Sequence, residues 1–402
     1  MWEQIRANKR NSILLLMIMA AALGLVGWII GMAVVPNPQG GLLGLAIALG
    51  VWLILALVSF SSGDAIFLAA SKAIPVEKNV HPQLFNVVEE MAIAASLPMP
   101  KVYIINDPAP NAFATGRTPQ NASIAVTAGL LGRLNRDELQ GVIAHEMSHI
   151  LHRDILFVTL AGVMLGAITL ISQVFLRSMF YSSMGGSSRR YSSRGKNTGG
   201  AQAIMLLIAI ICAILAPIMV TLLYFALSRR REYLADAGGA RLTRYPEGLA
   251  SALEKISQNT VPLSVANKVT APMYIVNPLQ KEGMKLSDLT STHPPISQRI
   301  KILRGMAGAS FTDYSDAFKK TAHLPVPIPA SALKEKEHID IRSASQQQPA
   351  GNKKQIRDIG DIMQRTGGYR FIDCSCGLKM KIPPNFKSKM VQCPRCGISH
   401  KI

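Results

Sequence analysis

The stretch "GVIAHEMSHILHRDILFVTLAGVMLGAITLISQVFL", residues 141–176, decides how this chain is read. It joins a His-Glu-x-x-His pattern to an uncharged apolar run long enough to cross a bilayer. On a helix, His145 and His149 lie one turn apart on one face, so both imidazoles can hold one metal ion. Glu146, next to the first of them, is then placed to take a proton from water. Asn135 and Glu138 have the spacing of a capping box, and Leu139, Val142, Ile143 and Ile150 supply apolar helix faces. His152 is two turns from His145, too far to share an ion, and reads as a polar flank. The plainer alternative is a helix carrying ordinary surface histidines.

The apolar run that follows is one of four. Residues 13–35, 42–60, 155–176 and 203–227 each reach the roughly 20 residues that a membrane helix needs. They explain a composition that is 49% hydrophobic and only 17% charged over 402 residues, which excludes a purely soluble protein. Pro217 would kink the fourth helix, as membrane helices tolerate. The first run is too long for the core of a cleaved signal peptide, and a second follows after "PNPQGG".

Lysine and arginine near the span ends set the expected orientation. Arg6, Lys9 and Arg10 precede the first run, and Arg229, Arg230 and Arg231 follow the fourth. Four spans put both flanks on one side, so both termini are expected in the cytoplasm. The basic loop with Arg177, Arg189, Arg190, Arg194 and Lys196 argues the other way. The flanks weigh more, because the first span usually dominates and the arginine cluster abuts a span. The alternative is that the third and fourth runs enter the membrane only partly.

Four of the five cysteines stand near the C-terminus in "CSCGLKMKIPPNFKSKMVQCPRCG". Cys374 and Cys376 form one pair, Cys393 and Cys396 the other, with 16 residues between the pairs. Each pair is followed by glycine, the pattern of a zinc ribbon, although the first pair is C-x-C rather than C-x-x-C. Two disulfides in an exported tail are the alternative. Zinc thiolates require a reducing compartment, which agrees with a cytoplasmic tail.

These features divide the chain. Residues 1–60 are expected as a membrane hairpin, 61–154 as a soluble part ending in the motif helix, and 155–227 as a second membrane hairpin. Residues 228–310 form a second, mostly helical soluble part, 311–365 a linker, and 366–402 the ribbon. Within the first soluble part, residues 81–97 are amphipathic, with Leu84, Val87, Val88 and Met91 on one face. "KVYIIN" (101–106) and "SIAVT" (123–127) read as short strands. The linker reading rests on residues 323–355, rich in Pro, Ala, Gln, Ser and charge without apolar periodicity.

A catalytic zinc needs a third protein ligand and an open position. A third histidine six residues after His149 is excluded, because Ile155 stands there. "SRRREYLADAGGARL" offers Glu-x-x-x-Asp instead: Glu232 could ligate, and Asp236, one turn on, could accept the Nδ1–H of a ligand histidine. The plainer view is that both carboxylates only pair with the neighbouring arginines at a membrane edge.

Taken together, "PAPNAFATGR" (108–117), "IAVTAGLL" (124–131), "ELQGVIAHEMSHILHRD", "RRREYLADAGGARL" and "STHPPISQRI" (291–300) resemble the HtpX-type membrane zinc metallopeptidases, relatives of the CAAX prenyl endopeptidases. The resemblance covers about residues 1–305, in the family's order. It implies a mainly α membrane protein with four transmembrane helices and an α+β zincin domain of gluzincin type with a small edge-stranded sheet; the small β zinc ribbon read from the cysteines lies outside the family's core. It implies that His145, His149 and Glu232 bind zinc and that Glu146 is the general base. Asn111, Ala112, Phe113, Ala114, Thr115 and Gly116 would form a substrate-binding edge strand, to which an extended peptide adds by main-chain hydrogen bonds. A donor for the developing oxyanion is still needed; His293 is the first candidate and Arg299 the second. The plain view of that segment is a helix start with Ile296, Ile300 and Leu303 as its core face.

Two zinc ions are therefore expected, one catalytic and one structural. The net charge of +19 sits largely beside the spans, where it suits anionic headgroups. The ribbon carries few aromatics for base stacking, so polypeptide rather than nucleic acid is the expected partner. The expectation is an endopeptidase of a bacterial-type cytoplasmic membrane, multi-pass, with its site facing the cytoplasm, acting on misfolded or damaged membrane proteins. The competing reading is a zinc-binding membrane scaffold that cleaves nothing. Glu146 separates the two, because a scaffold has no use for a carboxylate beside its first ligand.

Overall fold

The computed structural model describes residues 2–35, 37–160, 177, 210, 229–265, 270–276, 278, 293–322, 325–333, 339–345 and 352–401. The chain opens with two long helices, α1 (Trp2–Val34) and α2 (Pro38–Ala70), packed against each other. Asn37 caps α2 by accepting from the Gly40 N–H at 2.7 Å, and Pro38 occupies the first turn, where its missing donor does no harm. Both helices contain stretches long and apolar enough to span a bilayer, Ile5–Met32 and Pro38–Ala70. Leu14, Met17, Leu53 and Ile54 stand more than half exposed on them, which a lipid environment accommodates and water does not. The third and fourth expected spans lie almost wholly outside the described residues, so two of the four are described.

After α2 comes a four-stranded sheet in the order β1–β2–β4–β3, built from β1 (Ala73–Pro75), β2 (Lys101–Ile105), β3 (Ala112–Thr115) and β4 (Ser123–Thr127). β2 and β4 are parallel, while β1 and β3 run antiparallel to their neighbours, which leaves β3 at an edge. Helix α3 (Pro82–Ala94) buries Leu84, Val87, Val88 and Met91, the face its periodicity marks. Short α4 (Ala128–Arg133) leads into α5 (Arg136–Leu151), which starts at the capping box of Asn135 and Glu138.

Helical residues 154–160 (α6) and 229–243 (α7) follow, then α8 (Pro246–Ser257), α9 (Ile296–Arg304) and α10 (Phe311–Thr321). One apolar core joins them: Val142, Ile143 and Met147 of α5 meet Leu249 and Leu253 of α8, Ile302 of α9 and Phe318 of α10.

The segment expected as a linker contains packed structure. Tyr314 and Phe318 of α10 are fully buried, and the Phe318 ring meets Tyr233 edge-on at 5.0 Å. Arg342 donates to Asp137 at 2.7 Å, tying residues 339–345 to the start of α5. Helix α11 (Asn352–Thr366) packs on α4 through Ile359 and Ile362. Its apolar positions at 356, 359, 362 and 363 have helical spacing. The polar residues around them obscure that period.

Two hairpins end the chain: β5 (Arg370–Asp373) with β6 (Lys379–Ile382), and β7 (Met390–Gln392) with β8 (Ser399–Lys401). Asp361 of α11 lies 2.7 Å from Lys381 and 3.6 Å from Lys379, which joins the first hairpin to α11.

Candidate metal centre

Helix α5 carries His145, Glu146 and His149 on its buried side, with His145 fully enclosed. Helix α7 crosses it closely because Gly238 and Gly239 stand at the contact. A Cβ on Gly238 would lie 2.1 Å from Ser148 Oγ, and one on Gly239 3.1 Å from the His145 backbone nitrogen. This approach brings Glu232, one and a half to two turns earlier on α7, up to both histidines.

The Nε2 atoms of His145 and His149 are 3.3 Å apart. Glu232 lies 3.5 Å from the first and 3.6 Å from the second. Tetrahedral bonds of about 2.1 Å require donor atoms about 3.4 Å apart, so the three fit one zinc ion. Glu232 Oε2 is buried without a hydrogen-bond partner among the described residues, an orphan that a bound cation would satisfy. This His/His/Glu set is one of two groups among the described residues able to hold a metal; the four cysteines are the other.

Around the three sits a layer of charge. Asp236 Oδ1 is 3.0 Å from His145 Nδ1, and both its oxygens accept from Arg299, at 2.7 and 2.8 Å. Arg299 also donates to the Ile275 carbonyl at 3.1 Å, and its Nη1 is 3.7 Å from Glu232. His293 Nε2 lies 3.6 Å from Glu232 Oε2. The structure thus brings His293 and Arg299 to the same carboxylate, with the Arg299 guanidinium already engaged by Asp236. His152 is buried rather than a polar flank: it ends α5 with Nδ1 3.3 Å from Ser148 Oγ, and burial holds it neutral, with its pKa lowered to about 4.

Titration follows from these contacts. Burial would lower the pKa of His145, but the facing carboxylates of Asp236 and Glu232 outweigh it and raise the group to about 9. Burial pushes Glu232 up, yet His293, His145 and His149 hold it well below the usual carboxylate range. Glu146 moves the other way, raised by burial that the nearby histidines only partly offset. Burial lowers His293 to about 4. The metal-free site therefore holds a proton on His145 at neutral pH, and a metal must displace it. Zinc affinity, measured by chelator competition, is expected to rise about tenfold per pH unit from about pH 7 to 9 and then level off. A flat profile over that range would mean that His145 carries no such proton.

Strand β3 lies alongside α5, and the Ala114 backbone N–H donates to the Glu146 carboxylate. Thr127 N–H donates to the Asn111 carbonyl, so Asn111, Phe113 and Thr115 face β4, while Ala112 and Ala114 face the outer edge. Part of that edge is already taken. The Ile275 N–H donates to the Ala112 carbonyl at 2.9 Å, and the Asn111 side-chain amide donates to the Val276 carbonyl at 2.8 Å. The Tyr274 ring meets Phe113 edge-on at 5.2 Å. Gly116, with φ of 139°, ends the strand where a Cβ would meet the Asn121 carbonyl at 2.5 Å.

All four C-terminal thiols are free. Cys374 and Cys396 sulfurs are 3.3 Å apart, and those of Cys376 and Cys393 3.6 Å. In each knuckle a glycine at positive φ, Gly377 or Gly397, donates back to the first cysteine's carbonyl, at 2.8 and 2.9 Å. The four sulfurs lie close enough to share one ion, and His400 Nε2 is 3.2 Å from Cys374 Sγ.

A helix bearing His-Glu-x-x-His, faced by a second helix bearing Glu-x-x-x-Asp, carries the pattern of a zinc metallopeptidase. The family described as "Peptidase family M48" matches residues 78–307. A protein called "Protease HtpX homolog" from Dictyoglomus thermophilum is 46% identical over 76% of this chain and 94% of its own length. Proteins of the same name from Caldanaerobacter subterraneus and Listeria monocytogenes are 50% and 43% identical, covering 62% and 76% of this chain and 80% and 100% of their own. The crystal structure of S. mikatae Ste24p is similar at a TM-score of 0.39 and 19% identity, over 74% of this chain and 66% of that one. The chain belongs to peptidase family M48 and is a zinc-dependent membrane metalloprotease. That membership decides for a peptidase over a scaffold.

Two contributors to the site escape a reading of the sequence. One is residues 274–276, which carry no motif. The other is Asp154, whose Oδ2 lies 3.2 Å from His149 Nδ1.

Proposed function

We propose that this chain is an endopeptidase with His145, His149 and Glu232 as the ligands of a catalytic zinc and Glu146 as its general base. The observation that carries this reading is the convergence of three ligand atoms within 4.8 Å of one another, on a Glu232 carboxylate with an oxygen that has no hydrogen-bond partner among the described residues. Zinc held there would polarise the scissile carbonyl and lower the pKa of water. Glu146 takes the proton of the attacking water and passes it to the leaving amine. The Ala114 N–H fixes the base against β3, so base and substrate edge keep a constant relation. A peptide adds to that edge where the Ala114 carbonyl and Gly116 face outward, beyond the stretch of Asn111 and Ala112 that residues 274–276 cover; Phe113 braces the strand through Tyr274. His293 donates to the developing oxyanion. Arg299 orders Asp236, which in turn orients His145.

The proposed setting is a bacterial-type cytoplasmic membrane crossed four times, with the site and both termini in the cytoplasm. The substrates are misfolded or damaged membrane proteins, whose segments emerge from the bilayer near α5. Cys374, Cys376, Cys393 and Cys396 hold a second, structural zinc, and the ribbon serves as a stabilising or recruiting module.

Metal counting tests this assignment. The intact chain in detergent should hold about two zinc ions, Glu232→Ala one and Cys393→Ser one, with cleavage lost only in the first variant. Two ions in Glu232→Ala would remove that residue from the site.

A further inference from the structure

The two ligand histidines are built alike, each with a buried carboxylate facing its Nδ1. Behind His145 stands Asp236, itself held by Arg299. Behind His149 stands Asp154, fully buried, with Oδ2 3.2 Å from His149 Nδ1. Its other oxygen, Oδ1, accepts from the side-chain amide of Asn8. The same amide donates to the His152 carbonyl at 2.9 Å, satisfying a group left open at the end of α5. Asn8 lies on α1, the first membrane-length helix, and is itself buried.

An imidazole that binds metal through Nε2 must keep its proton on Nδ1, and a carboxylate facing Nδ1 selects that tautomer and fixes the ring. A buried carboxylate needs its remaining oxygen satisfied, or it turns toward another donor. The Asn8 amide supplies that hydrogen bond without neutralising the charge, so Asp154 remains a strong acceptor for His149. A second contact reinforces the first. Leu15, Met19 and Leu23 of α1 pack with Phe157 of α6, and the Arg231 guanidinium sits 3.4 Å over the Phe157 ring. Arg231 immediately precedes Glu232. The first helix thus reaches the carboxylate behind His149 and the ring beneath Arg231.

Resting on the ligand assignment above, we propose that Asp154 and Asn8 are positioning residues of the metal centre. Asp154 orients His149, and Asn8 locks Asp154, so the seating of α1 against the end of α5 sets how tightly zinc is kept.

The test is zinc affinity by chelator competition on the full chain in detergent, with the cobalt-substituted visible spectrum reporting ligand geometry. Thiolate charge-transfer bands mark the ribbon metal separately. Asp154→Ala is expected to bind the catalytic metal about 10- to 100-fold more weakly. Asn8→Ala should lose a smaller factor in the same direction and shift the cobalt spectrum the same way. The double variant should bind no more weakly than Asp154→Ala alone, because Asn8 acts through Asp154. Asp154→Asn keeps volume and an acceptor, should fall between wild type and Asp154→Ala, and serves if the alanine variant does not fold. Wild-type affinity in Asn8→Ala or in either Asp154 variant would overturn the proposal, as would losses that add in the double variant. His149→Ala separates the two levels of inference: it should lose the catalytic metal, and if it keeps that metal, the ligand assignment itself fails.

Discussion

Glu146→Gln is expected to bind zinc as the native chain does and to cleave peptides about 100- to 10,000-fold more slowly, the range that general acid–base catalysis supplies. The substitution keeps shape and an oxygen for the Ala114 N–H, so the arrangement of α5 and β3 survives. The one chemical change that matters is loss of the ability to take and return a proton. Burial raises the Glu146 pKa, and a base whose pKa lies nearer the working pH can both accept the proton from water and give it to the leaving amine. A zinc cation beside it would oppose that rise and keep the resting group ionised. Comparing zinc content and cleavage in the same preparation separates loss of the base from loss of the metal.

Arg299→Met should have the second large effect, on stability rather than on chemistry. Arg299 is fully buried and bonded through two nitrogens to the equally buried Asp236, with a third contact to the Ile275 carbonyl. Methionine fills much of the volume but leaves Asp236 without its counter-charge, which costs about 3–5 kcal/mol when one partner of a buried pair is removed. Resistance to thermal inactivation should fall accordingly, and zinc should be held more weakly because Asp236 no longer keeps His145 in place. Adding Asp236→Asn should restore part of the stability, since it removes the stranded charge. If the double variant is less stable than Arg299→Met alone, the guanidinium contributes packing rather than charge balance.

The parts of this protein legible in its sequence are those whose chemistry is written locally. His145, Glu146 and His149 share one helix turn, Glu232 and Asp236 another, and the cysteines sit in short knuckles, so spacing alone groups them. The strands at 101–105 and 123–127 and the apolar face of α3 were readable for the same reason. What escaped reading depends on contacts between distant segments. Asp154 follows α5 and meets His149 only because the chain turns there into α6. Asn8 sits in a basic flank and looks like part of a membrane anchor until α1 lies against α5. His152 resembles a surface residue because periodicity along one helix does not register a neighbour that covers it. Residues 311–365 have the composition of a linker, and their few apolar side chains gain meaning only from the faces of α4, α7 and α9 that they cover. Residues 274–276 show the same limit at the β3 edge, since main-chain hydrogen bonds leave little trace in side-chain identity.

The central claim is that a zinc ion at His145, His149 and Glu232 and the carboxylate of Glu146 are both required for cleavage. It is tested most directly by adding zinc back to chelator-treated full-length protein in detergent while following cleavage of an unfolded polypeptide. Cleavage should be absent without metal, return in the native chain as the His/His/Glu site fills, and stay near background in Glu146→Gln although that variant takes up the same zinc. Cleavage by the metal-free chain, or native rates from Glu146→Gln, would contradict the account.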